Sequence, residues 1–123
     1  MKNILVVGAS SGIGKHLAEL LANDHKVYGT YNKNPIQSND PNISYHSINV
    51  LEDDLDLNFL PDSLDGLVYC PGSINLKPFH RIKPEDFTKD FELQMGGAIK
   101  IIQGVLPRLK KAESASIVLF STV

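Results

Sequence analysis

The stretch Ile4-Leu5-Val6-Val7-Gly8-Ala9-Ser10-Ser11-Gly12-Ile13-Gly14 limits the possible folds more than any other part of the chain. Ile4 to Val7 are apolar without interruption, the pattern of a strand buried on both faces of a parallel sheet. Ile13, Leu17, Leu20 and Leu21 then recur at helical spacing, which predicts a helix to about Asn23 with these residues as its apolar face. Three glycines and two serines join the two elements, so little side chain keeps a ligand away from the backbone. Free amides at the helix start, at the positive end of its dipole, make this junction a cradle for phosphate.

The spacing is Gly8-x-x-x-Gly12-x-Gly14, which departs from the common G-x-G-x-x-G fingerprint but allows the same physical jobs. One glycine turns the chain, one admits a pyrophosphate and one lets helix and sheet approach. A nucleoside-triphosphate P-loop does not fit. Its first glycine would fall on Ala9, and His16 stands where a magnesium-binding Ser or Thr is needed. Val7-Gly8-Ala9-Ser10-Ser11-Gly12-Ile13-Gly14 resembles the T-G-x-x-x-G-I-G motif of the short-chain dehydrogenase/reductase family, with Val7 in place of the Thr. The resemblance implies an α/β fold, a Rossmann-like parallel sheet of about five strands in the order 3-2-1-4-5 flanked by helices. It also implies hydride transfer between a nicotinamide cofactor and a small carbonyl or alcohol substrate. Gly8, Ser10, Ser11, Gly12, Ile13 and Gly14 become the dinucleotide cradle.

Lys26 to Tyr31 has the composition of a second strand. A dinucleotide fold that selects NAD carries a carboxylate near the end of that strand, on the ribose hydroxyls. Between His25 and Asn39 there is neither Asp nor Glu, and the strand runs into Tyr31-Asn32-Lys33. That points to NADP(H) over NAD(H), with these three residues at the adenosine ribose; Lys33 fits a solvated turn nearly as well. Asn34 to Asn42, with Pro35 and Pro41, reads as a loop in place of a crossover helix. Ile43 to Ile48 alternates as a third strand.

The resemblance then assigns Asn49-Val50 to the adenine, where family members commonly carry Asp-Val. The acids from Glu52 to Asp56 lack the spacing of a calcium loop and are read as the first turn of a helix. Asp65 to Tyr69 is a fourth strand, and Cys70-Pro71-Gly72 falls where the family's Asn-Asn-Ala-Gly loop passes the nicotinamide ribose. Cys70 is read as a small buried hydrophobe and not a nucleophile, and His80 as a surface residue. Phe87, Phe91, Met95, Ala98, Ile99, Ile102, Val105, Leu106 and Leu109 step at three and four along one long helix, with Pro107 near its end. The resemblance implies that this helix covers the sheet and meets a twin, giving a homo-oligomer through residues 87–109. Gln94 occupies the place of the family's water-holding Asn. Ala115 to Val123 is a fifth strand, apolar enough to be buried; its Thr122 matches the catalytic serine, with Ser121 as the alternative donor.

In the family a Tyr-x-x-x-Lys pair completes the site. None of the tyrosines at 28, 31, 45 and 69 has a Lys four positions on. The expectation is a single NAD(P)-binding Rossmann domain over residues 1–123, truncated after strand five, inactive alone and with that strand as an open edge. A dinucleotide-binding module or sensor subunit without catalysis is the other reading. Net charge of −2 argues against nucleic acid as partner. No stretch suggests a membrane span, and a single cysteine suits a reducing cytoplasm.

Overall fold

A computed structural model describes residues 1–71 and 78–120. Its elements in chain order are β1 (Asn3–Val7), α1 (Gly12–Leu21), β2 (Lys26–Tyr31), β3 (Ile43–Ser47), β4 (Gly66–Tyr69), a 3-10 turn (Phe79–Arg81), α2 (Pro84–Phe91), a π-helical turn (Glu92–Gly96), α3 (Gly97–Lys111) and β5 (Ser116–Leu119). All neighbouring strands are parallel, in the order β3-β2-β1-β4-β5. The expected α/β sheet is therefore the one observed.

Strand β1 lies at its centre, where the unbroken apolar run has its explanation. Leu5 and Val7 face one core, with Leu67 and Tyr69 of β4 and Ala98, Ile101, Val105 and Leu109 of α3. Ile4 and Val6 face the other, with Val27, Val68, Ala18 of α1 and Ala22 just after it. Alternation along a strand sends successive side chains to opposite faces, and both faces are covered here.

Three expectations about the helices change. Helix α1 buries Gly14 and Ala18, while Ile13 and Leu20 are exposed; small residues let the helix lie close to the sheet and rotate its larger side chains outward. The long helix runs from Pro84 to Lys111 but is interrupted by the π turn, in which Gly97 N–H donates to the Glu92 carbonyl, five residues back. That extra residue rotates the inward face. Ile101 becomes fully buried, whereas Phe87, Phe91, Met95, Ile99 and Leu106 remain exposed. Third, the acids between Glu52 and Asp56 begin no helix. Residues 48–65 form turns in which Asp56 Oδ1 accepts the Asn58 N–H at 3.0 Å. Asp side chains compete for backbone donors in this way and favour turns over helix.

The helix-less segment between β3 and β4 is tied to α3 by cations. Lys100 Nζ donates to the Glu52 carbonyl at 2.9 Å and the Val50 carbonyl at 3.4 Å. Arg108 Nε donates to the Pro61 carbonyl at 3.1 Å and its Nη2 to that of Leu57 at 3.4 Å. Carbonyls that a helix would have paired internally find partners on a neighbouring element instead. Strand β5 also departs from expectation: Ser116 to Leu119 are all exposed, because among the described residues no helix packs over them.

Candidate functional site

The C-terminal ends of β1, β2 and β4 meet around the glycine loop, the usual place for a ligand in an open parallel sheet. Gly8 has φ +82° and Gly12 φ +58°, both in the left-handed region that side chains with a Cβ disfavour. A Cβ on Gly14 would run into the Gly8 carbonyl, so the third glycine lets α1 start close against the end of β1. Helix α1 then begins with Ser11 in extended conformation, with no side-chain cap and no acid in its first turn. Its leading amides and dipole are left for an anion.

Beside this loop lies a cleft of about 140 Å³ lined by Val7, Gly8, Ser10, Thr30, Tyr31, Asn32, Ile48, Asn49, Val50, Leu51, Pro71 and Leu93. The residues expected at a dinucleotide's phosphates (Gly8, Ser10), ribose (Tyr31, Asn32) and adenine (Asn49, Val50) thus line one cleft, together with Pro71. Ser11, Gly12 and Ile13 are exposed at the start of α1, outside the cleft lining, and Lys33 is an exposed residue just after β2. Asn49 Oδ1 accepts the Leu51 N–H at 3.0 Å, and the Asn49 carbonyl accepts the Glu52 N–H at 3.1 Å. This turn is therefore closed by Asn49 itself, whose side-chain oxygen retains a second lone pair beside its amide hydrogens.

Cys70 is half-buried and packs on the α1 side of the sheet, outside the cleft lining, and burial pushes its thiol up from the ordinary value. Its N–H donates to the Val7 carbonyl at 2.9 Å, holding the end of β4 to β1. Gln94 is exposed within the π turn, one residue after Leu93, which lines the cleft. The Tyr69 hydroxyl donates to the Leu93 carbonyl, and burial pushes its pKa up to about 12. Tyr69 is thereby a structural tie from sheet to helix, not an acid or base near neutrality. Gly72, Ser121 and Thr122 lie outside the described residues.

Residue-by-residue reading of the sequence missed Thr30. Its side chain is buried; Oγ1 accepts the Gly8 N–H at 3.1 Å, and its carbonyl accepts the Ala9 N–H at 2.8 Å. Two donors of the glycine loop are thus fixed by the end of β2. A Thr among strand residues gives no signal of this beyond its place one residue before Tyr31.

The sequence profile of the short chain dehydrogenase family matches residues 2–123. The chain belongs to that family. A short chain dehydrogenase family protein from Francisella tularensis is similar in structure, at 26% identity and a TM-score of 0.78, over 95% of this chain and 49% of that one. A short chain dehydrogenase/reductase from Saccharomyces cerevisiae matches at 23% identity and a TM-score of 0.79, over 98% of this chain and 54% of that one. The aldohexose dehydrogenase of Thermoplasma acidophilum matches at 18% identity and a TM-score of 0.81, over 94% of this chain and 47% of that one. The latter two carry the fold alone. This short-chain dehydrogenase chain spans about half the length of the solved structures it matches. No curated protein matches it at a significant level. Among the described residues no cluster of His, Cys, Asp and Glu is arranged to hold a metal ion, and no helix is long and apolar enough to cross a membrane.

Proposed function

We propose that residues 1–123 form the NAD(P)-binding domain of a cytoplasmic oxidoreductase that interconverts a small carbonyl compound and its alcohol. The observation that carries the reading is the uncapped, acid-free start of α1 behind left-handed Gly8 and Gly12, opening beside the cleft. A nicotinamide cofactor, when bound, supplies or accepts the hydride. The chain's own residues bind and orient it. Amides from Ser11 to Gly14 take the pyrophosphate, Asn49 and Val50 the adenine edge, and Tyr31, Asn32 and Lys33 the adenosine ribose. Cys70-Pro71-Gly72 follows the nicotinamide ribose. Thr122, or Ser121 beside it, donates a hydrogen bond to the substrate oxygen, and Gln94 holds a water near that end.

The missing carboxylate at the end of β2 supports NADP(H) over NAD(H), since an acid there would repel a 2'-phosphate. Calorimetric titration of the chain with NADPH and NADH tests both levels of the reading. Tighter NADPH binding is the expected result; tighter NADH binding overturns the preference, and binding of neither removes the cofactor-binding reading. For the reaction, the protein as its gene encodes it is assayed for NADPH oxidation across a panel of ketones and aldehydes. Cofactor binding without turnover on any of them would favour the non-catalytic module or sensor, to which the departures at Gln94 and Cys70-Pro71 already lend support.

A further inference from the structure

The turn Asn49–Glu52 forms the adenine side of the cleft, yet no regular element holds it. Strand β3 ends at Ser47 and the next strand, β4, begins at Gly66. Behind the turn stands the start of α3. Gly97 leaves room for Val50, since a Cβ there would approach Val50 Cγ2 to 3.0 Å, and one turn further on Lys100 reaches the Glu52 carbonyl at 2.9 Å and the Val50 carbonyl at 3.4 Å. Two backbone oxygens of one short turn thus converge on a single ammonium, while Asn49, Val50 and Leu51 of the same turn line the cleft. An ammonium has three donors and no acceptor, so it suits such convergent carbonyls.

We propose that Lys100 is a positioning residue for cofactor binding: from behind the cleft it holds the Asn49–Glu52 turn in the shape that receives the adenine. The inference rests on the dinucleotide reading above and adds a residue that neither lines the cleft nor touches the ligand. A turn held in its bound shape before the ligand arrives avoids the ordering cost of binding, so losing the clamp weakens affinity without removing a contact to the ligand. Arg108 supplies an internal control. It makes the same kind of bond to the Leu57 and Pro61 carbonyls, in the same helix-less segment but away from the cleft.

The test compares Lys100→Met, which keeps the stem and loses the donors, with Lys100→Arg and Arg108→Met, each checked for folding by circular dichroism. Affinities are measured for NADPH, for adenosine 2',5'-bisphosphate and 5'-AMP, and for nicotinamide mononucleotide. Lys100→Met is expected to raise the Kd of NADPH and of the adenylate fragments by roughly five- to tenfold, the scale of one ordinary hydrogen bond. The mononucleotide Kd should not move, Lys100→Arg should recover most of the loss, and Arg108→Met should lower the melting temperature with little effect on adenylate affinity. Equal weakening by Lys100→Met and Arg108→Met, equal weakening of the mononucleotide, or no weakening at all overturns the proposal. If the unsubstituted chain binds neither NADPH nor NADH, nor the adenylates, the dinucleotide reading falls and the clamp with it; binding that survives Lys100→Met unchanged sinks the clamp alone.

Discussion

Thr30, near the end of β2, and Cys70, just after β4, stand on either side of β1 and fill opposite chemical roles. The Thr30 hydroxyl accepts the Gly8 N–H, so its replacement leaves a donor of the glycine loop without a protein partner. Thr30→Val is therefore expected to destabilise the loop by about 1 kcal/mol. Dinucleotide Kd should rise several-fold in titration, Thr30→Ser should retain wild-type affinity, and an unchanged Kd in the Val variant would remove Thr30 from the site. Among the described residues the Cys70 thiol makes no such bond. Burial favours the neutral form, so its folded pKa lies above the ordinary 9.0. The thiolate is the reactive species, and little of it exists near neutral pH. Alkylation by iodoacetamide, followed against pH in the native chain, should have its midpoint above that of a free cysteine; a midpoint at or below 9.0 would show an activated thiol instead.

Elements show where sequence patterns suffice and where they do not. The β1–glycine–α1 unit is legible because each residue's job is local: an apolar run buried on both faces, two glycines at positive φ, and one at a close approach. Gly14→Ala tests the last of these. Its methyl would meet the Gly8 carbonyl, backbone that cannot swing aside, and such overpacking costs about 1–3 kcal/mol. Urea unfolding should record the loss, together with weakened dinucleotide binding as α1 is pushed from β1; a variant as stable as the parent would mean that the helix start is free to move. The longer helix is less legible. Helical spacing groups Phe87, Phe91 and Met95 with Val105 and Leu109, but the π turn at Glu92–Gly96 comes between them, and its contacts with Tyr69, whose hydroxyl donates to the Leu93 carbonyl and lies where a Cβ on Gly97 would fall, come from a distant strand. The same holds for Lys100 and Arg108, whose carbonyl partners between β3 and β4 lie some fifty residues away, at separations of 50, 48, 47 and 51. Thr30 is hidden for the same reason, since its role exists only once β2 lies beside β1.

At the scale of the whole molecule, the large apolar residues left exposed along α2, the π turn and the start of α3 form a surface of their own. Phe87, Phe91, Met95 and Ile99 follow one another at every fourth position and are exposed to 65%, 62%, 52% and 48%. Large apolar side chains exposed together in this way commonly mark an interaction site. The oligomer expected through residues 87–109 supplies a self-complementary partner, because two copies related by a two-fold axis would bring the same stripe together. Strand β5, with exposed Ile117, Val118 and Leu119 and Phe120 just after it, is the competing surface, through edge or face pairing. The two are separable by substitution. Sedimentation equilibrium should find the parent chain as a dimer, and Phe91→Glu with Met95→Glu should make it monomeric while leaving circular dichroism unchanged, since both residues are exposed in the protomer. The concentration dependence of Tm that dimerisation imposes should vanish in the same variant. Val118→Lys should leave the dimer intact. A monomeric parent removes the interface altogether, and a dimer that survives the helix changes but is lost with Val118→Lys moves it from the helix stripe to the sheet.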